Sequence, residues 1–158
     1  MIRVGVGYDV HPLAAGRPLV LGGVRIPYER GLAGHSDSDV LAHAVVDALL
    51  GAAALGDIGS HFPPSDPRYK DADSMAFVGH AVRLLAQRRW HICNVDATMV
   101  AQEPRLAPHV PRMRENLSRA LGVDVARVSV KAKSTNGLGF EGRGEGIAAH
   151  AVALIESA

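Results

Sequence analysis

Three residues of this sequence are good metal ligands and sit where local structure can bring them together. Asp9 and His11 follow a run from Ile2 to Val6 that alternates like a strand. Their separation by one residue puts both side chains on the same face. His43 lies in the stretch from His35 to Gly59, HSDSDVLAHAVVDALLGAAALGDIG, which is apolar almost all round between Val40 and Leu55. A helix of that kind belongs in a core, where an imidazole is costly unless something binds it. Asp39, His43 and Asp47 recur at i, i+4 and i+8 and so fall roughly along one side of that helix. An Asp-x-His pair alone is common by chance, and a lone core histidine is ordinarily satisfied by a neighbouring carboxylate. The clustering here favours a site. One carboxylate and two imidazoles leave a fourth tetrahedral position open, the pattern of a catalytic rather than a structural zinc.

Other groups could meet phosphate. Gly56-Asp57-Ile58-Gly59 and Gly137-Leu138-Gly139 would let backbone amides approach phosphate oxygens, although such glycines are more often mere turns. Lys131 and Lys133 alternate on a strand, so both face one side, toward either solvent or a diphosphate.

The elements that must hold these groups can be read in order. Residues 2–6 form a strand, and two short strands (18–23 and 24–27) flank a glycine turn. Residues 31–38 read as loop, and Ser38 is the expected N-cap of a helix from Asp39 to about Leu55. Pro63, Pro64 and Pro67 make 57–70 irregular. A helix runs from about Asp73 or Ser74 to Gln87, and a strand covers 92–101. A more amphipathic helix over 108–121 is closed by Gly122, and the last strands are 127–133 and 147–155. Interleaved strands and helices, with no linker or repeat, imply one α/β or α+β domain over residues 1–158 with a single sheet.

Composition narrows the function. A net charge of +1 over 158 residues, with no Lys/Arg run, argues against nucleic acid or an anionic membrane as partner. The single Cys93 cannot form an internal disulfide, which fits a reducing cytoplasm. No leader or membrane span is expected.

The segments GYDVHPL (7–13), LGGVRIPYERGLAGHSDSDVLAHAVVDALLGAAALGDIG (21–59), DPRYKDADS (66–74), NVDATMVAQEPRLAPHVPRMR (94–114) and GLGFEGRGEGIAAHAVALI (137–155) together resemble the 2-C-methyl-D-erythritol 2,4-cyclodiphosphate synthase family of the non-mevalonate isoprenoid pathway. The resemblance runs in order over nearly the whole chain. It implies an α+β fold, an α/β sandwich with a single mixed sheet packed on helices, and a homotrimer whose sheets meet around a threefold axis. Active sites would lie between subunits. It implies Zn2+ on Asp9, His11 and His43, with Asp9 and His11 also beside the substrate. His35 and Ser36 would stand at the phosphates, His35 with a catalytic role. Asp57, Ile58 and Gly59, with Phe62 to Asp66 closing over them, would hold the methylerythritol part. The stretch Ala101, Gln102, Pro104, Arg105, Leu106 and Ala107 would take the cytidine. Lys133, Ser134 and Thr135 would take the diphosphate, Ser134 again catalytically. Phe140 and Arg143 match binding positions beside a central channel that can hold an isoprenoid diphosphate.

The reaction the resemblance implies is an internal phosphoryl transfer that releases CMP, that of a phosphorus-oxygen lyase. A second divalent ion, Mg2+ or Mn2+, bridges the phosphates in the family. Its usual protein ligand, mostly Glu, is Asn136 here, a poorer ligand for a hard dication. Pro64 stands where Asp is frequent, which shifts contacts toward backbone or Asp66. Two other readings compete: a zinc hydrolase of a nucleotide diphosphate, with His35 or Asp57 as base, and a non-catalytic isoprenoid- or nucleotide-binding trimer.

Overall fold

The computed structural model describes residues 1–157. Strand β1 is far longer than residues 2–6, spanning Ile2–Ala15. It is held by β7 (Gly146–Ser157), antiparallel from Ile2↔Glu156 to Pro12↔Gly146, and its end pairs with a short β4 (Arg30–Leu32). β5 (Trp90–Val100) lies antiparallel to β7 and parallel to β6 (Val128–Lys133). The order β4-β1-β7-β5-β6 is a mixed five-stranded sheet. β2 (Leu19–Leu21) and β3 (Val24–Ile26) form a separate two-stranded ribbon, which corrects the single-sheet expectation. β4 falls within the stretch expected to be loop. Three residues are too few to show alternation, and only the pairing with Leu13–Ala15 makes them a strand.

Helix α1 (Val40–Ala52) is buried along nearly its whole length and packs on β1 and β7. Its N-cap is Asp39 rather than Ser38. The Asp39 carboxylate accepts the Ala42 N–H, while Ser38 has a left-handed backbone (φ 60°). α1 lies close to the sheet because Gly5 and Gly7 of β1 present no side chain to it. The proline-rich segment contains a one-turn helix α2 (Ile58–His61) and a 3-10 turn at Pro67–Tyr69. α3 (Ser74–Gln87) is capped by Asp73. α4 (Val110–Leu121) ends at Gly122, left-handed at φ 68° as its position predicted. A last helical turn, α5 (Gly139–Gly142), precedes β7.

The fold is therefore α+β, with helices on one sheet face. The other face is bare and apolar on the β1 side: Ile2, Val4, Val6, Tyr8 and Val10 alternate along β1 and Val152 continues the patch on β7, with Val6 69% exposed. Among the described residues no helix is long and apolar enough to cross a membrane.

Candidate active site

The pleat of β1 that exposes Tyr8 and Val10 turns Asp9 and His11 toward α1, where His43 faces them from the first turn. Asp9 Oδ2 lies 2.9 Å from both His11 Nε2 and His43 Nδ1, and the two nitrogens are 3.2 Å apart. Ligand atoms around a tetrahedral ion with bonds of about 2.0–2.1 Å stand about 3.3 Å from one another, so the three atoms have the spacing of a shared ion. The far side of His11 fixes its tautomer. Nδ1 is 2.9 Å from the Ala33 carbonyl, which can only accept, so Nδ1 carries the proton. In the neutral ring, the bare Nε2 then points at a carboxylate oxygen and a second imidazole. Such an arrangement fits a metal ion and is compatible with zinc.

Without an ion, protons must serve. Burial pushes the Asp9 carboxyl up, but hydrogen bonds from His11 and His43 outweigh it and hold it at about 2. Burial also disfavours the charged His11, yet its hydrogen bond to Asp9 leaves it above its ordinary value.

The other carboxylates of α1 do not join the group. Asp39 is fully buried and turned to the ribbon, where the Gly22 and Gly23 amides donate to it at 2.9 and 2.8 Å. Burial pushes it up to about 6 despite these donors and the Ala42 amide. Asp47 accepts the Ile58 N–H at 2.7 Å and so anchors the start of α2; burial raises its pKa.

A cavity of about 230 Å3 opens beside the three ligands and is lined by His35, Ser36, Ile58, Gly59 and Phe62 as well. Several residues that hold it had no sequence signal. Phe77 stacks on Phe62 with centroids 4.1 Å apart, and Tyr69 meets both edge-on. His35 Nε2 donates to the Asp66 carbonyl at 2.8 Å. Ser36 Oγ is 3.2 Å from His43 Nε2, and Ser74 Oγ is 2.8 Å from the same atom. Arg17 donates to the Leu32 and Ser36 carbonyls at 3.0 and 2.9 Å, tying down the loop that carries His35 and Ser36. Asp57 caps α2 through Ser60, and those bonds hold its carboxyl below the usual range.

The other predicted residues gather elsewhere. Ala101, Gln102, Pro104, Arg105, Leu106, Ala107, Lys133 and Ser134 line a second cleft of about 470 Å3, with Tyr28 and Glu103. Asp9 and Ala132 share one sheet row through Ala149 and Met99. Three strand spacings make that roughly 14 Å, with the buried Met99 between. Thr135 and Asn136 shape the turn after β6, where Asn136 is left-handed (φ 56°) and the Gly137 amide donates to Gln102. Phe140 lies in α5, and Arg143 pairs with Glu145 at 3.1 Å.

An α+β fold in which a carboxylate and two imidazoles converge beside a small cavity is that of an enzyme with a candidate metal site. The sequence matches the model of the YgbB family over residues 2–156, and the chain belongs to that family. Its relatives are lyases named 2-C-methyl-D-erythritol 2,4-cyclodiphosphate synthase. The protein of that name from Moorella thermoacetica is 63% identical over 154 residues, covering 98% of this chain and 94% of its own. The bifunctional IspDF of Campylobacter jejuni superposes with a TM-score of 0.96 at 40% identity; it covers all of this chain, which spans only 43% of that longer protein. A solved synthase in a CDP-bound form gives 0.89 at 37% identity, over 98% of this chain and 100% of its own.

Proposed function

We propose that the chain converts 4-diphosphocytidyl-2-C-methyl-D-erythritol 2-phosphate to 2-C-methyl-D-erythritol 2,4-cyclodiphosphate and CMP in non-mevalonate isoprenoid biosynthesis. The observation that carries this reading is the convergence of Asp9, His11 and His43 at the edge of a cavity that His35 and Ser36 also line. An oxygen of the substrate's 2-phosphate attacks the β-phosphorus. The bond from that phosphorus to the oxygen bridging the two phosphates breaks, and CMP leaves with the bridging oxygen. The nucleophile is already ionised, so positioning and charge neutralisation carry the rate. Asp9, His11 and His43 would hold Zn2+, which would supply Lewis-acid neutralisation of phosphate charge. Ser36 places a hydroxyl beside the cavity, His35 lines it with its Nε2 proton given to the Asp66 carbonyl, and Phe62, Phe77 and Tyr69 shield it from water. The amides of α2 and the Asp57 carboxylate suit the polyol. The second cleft suits cytidine, with Lys133 and Ser134 turned to the diphosphate.

The two clefts lie in different parts of one chain, which supports active sites completed by neighbouring copies. The bare β1 face supports a homotrimer in which three sheets meet. Phe140 and Arg143 would border a channel on its axis that accepts an isoprenoid diphosphate. At Asn136 the donors are neutral and do not suit Mg2+ or Mn2+, so such an ion would rest mainly on substrate phosphates. Cytoplasmic residence belongs to the same proposal.

Phosphorus NMR of the protein with zinc, magnesium and the substrate tests it. CMP and a cyclic diphosphate are expected; CMP with an open-chain bisphosphate would mean hydrolysis. His43→Ala should abolish turnover in a protein that still folds.

A further inference from the structure

We propose that Ser74 and Asp37 form a hydrogen-bond relay that sets the tautomer of His43, making both of them positioning residues for the metal centre. The inference rests on the reading of Asp9, His11 and His43 as that centre. His11 has its outer nitrogen fixed by a backbone carbonyl, whereas the outer nitrogen of His43 meets the hydroxyls of Ser36 and Ser74. Its Nε2 lies 2.8 Å from Ser74 Oγ, and Ser74 is fully buried as the first residue of α3.

A serine hydroxyl has one proton to give. That of Ser74 goes to Asp37 Oδ1 at 2.5 Å. Asp37 is itself held in place: the Ser74 N–H donates to Oδ2 at 3.1 Å and the Asp39 N–H to Oδ1 at 3.1 Å. Toward His43, Ser74 can therefore only accept. Nε2 must carry a proton, and the neutral ring is left with its lone pair on Nδ1, aimed at Asp9 and His11. The chain Nε2–H to Ser74, then Ser74 O–H to Asp37, orients the imidazole and raises its basicity as a ligand. It also leaves the Ser36 hydroxyl, 3.2 Å from Nε2 and 3.4 Å from Ser74 Oγ, without an obligatory role toward His43. The Ser36 hydroxyl is thereby kept for the cavity.

The relay is tested by nitrogen NMR of histidine-labelled, metal-free protein at mildly alkaline pH, together with zinc affinity from competition with a chromophoric chelator. The parent should show His43 Nε2 in the protonated range with a slowly exchanging proton. Ser74→Ala should lose that protection and bind zinc roughly 10- to 100-fold more weakly. Asp37→Ala, at a partly exposed site, is the second variant should Ser74→Ala not fold. It removes the acceptor of the serine proton, which can then point at His43, and should move the ring toward the Nδ1–H form. An unchanged His43 spectrum and unchanged zinc affinity in either variant would overturn the relay. A parent that shows the expected tautomer yet binds no zinc would overturn the metal-centre reading and leave the relay standing.

Discussion

Gly7 in β1 lies against the carbonyl of Ala44 in α1, so close that a methyl group on Gly7 would overlap the Ala44 carbonyl and crowd the Ala48 amide. Both neighbours are backbone on a buried helix and cannot swing aside. Gly7 is two residues from Asp9, and Ala44 adjoins His43, so this approach sets the distance between the strand and helix ligands.

Gly7→Ala should therefore do more than overfill a core. Overpacking costs about 1–3 kcal/mol where side chains adjust, and a backbone overlap belongs at the top of that range or beyond. A urea midpoint shift of at least this size is expected, with zinc affinity falling alongside; an unshifted midpoint would show the contact is slack.

Arg17 should matter to rate and little to zinc binding. Its guanidinium holds two carbonyls of the loop that carries His35 and Ser36, with Asp71 at 3.7 Å behind it. Arg17→Ala should lower kcat about 10- to 100-fold, since small misplacements at a reacting centre cost that much. Zinc content should stay at the parental level by metal analysis.

Acid and base should act differently on protein stripped of metal. The Asp9 carboxyl, lowered from 3.8 to about 2 in the fold, contributes stability that is complete above pH 3.8 and lost as pH falls through about 2. His11, raised in the fold, contributes stability that is complete below 6.5 and lost as pH rises through its folded value. Denaturant titrations of zinc-free protein should find these two groups at their most stabilising between about pH 4 and 6.5. Zinc, which requires bare imidazoles, should bind more weakly toward the acid end of that window.

Asn136→Glu should strengthen magnesium binding in the presence of CDP. A carboxylate is a far better ligand for a hard dication than an amide, and a gain of about tenfold by calorimetry is expected. Asn is among the residues that best tolerate the left-handed backbone found here, so the same variant should lose up to about 1 kcal/mol of stability.

Val6→Glu should separate the copies. The side chain is 69% exposed in a row of apolar neighbours, and in the proposed trimer three like charges brought together on the axis would repel. Sedimentation velocity should show monomer with an unchanged far-UV spectrum, and a parent that is itself monomeric would remove the trimer from the proposal.

The convergence of Asp9, His11 and His43 was legible because these residues break patterns: His43 interrupts an apolar helix, and Asp9 and His11 share one phase of an alternating strand. Asp39 was misread by the same logic. Helical spacing placed it beside His43, but a capping residue precedes the helix and its carboxylate turned to amides of the ribbon. Ser74, Asp37 and Arg17 left no trace in the sequence because their partners lie far along the chain and only tertiary packing introduces them. The β2–β3 ribbon and β4 were obscured for a related reason, since strands of three residues are defined by what they pair with.

β1 serves two surfaces at once, with Asp9 and His11 at odd positions turned to the candidate metal site and its even positions to the bare face. Because the period is two, an insertion of one residue between Gly7 and Asp9 would exchange these sets, sending a carboxylate and an imidazole outward and tyrosine and valine inward. Evolution can vary the chemistry of each surface separately, but it cannot change the length of this segment by a single codon without destroying both.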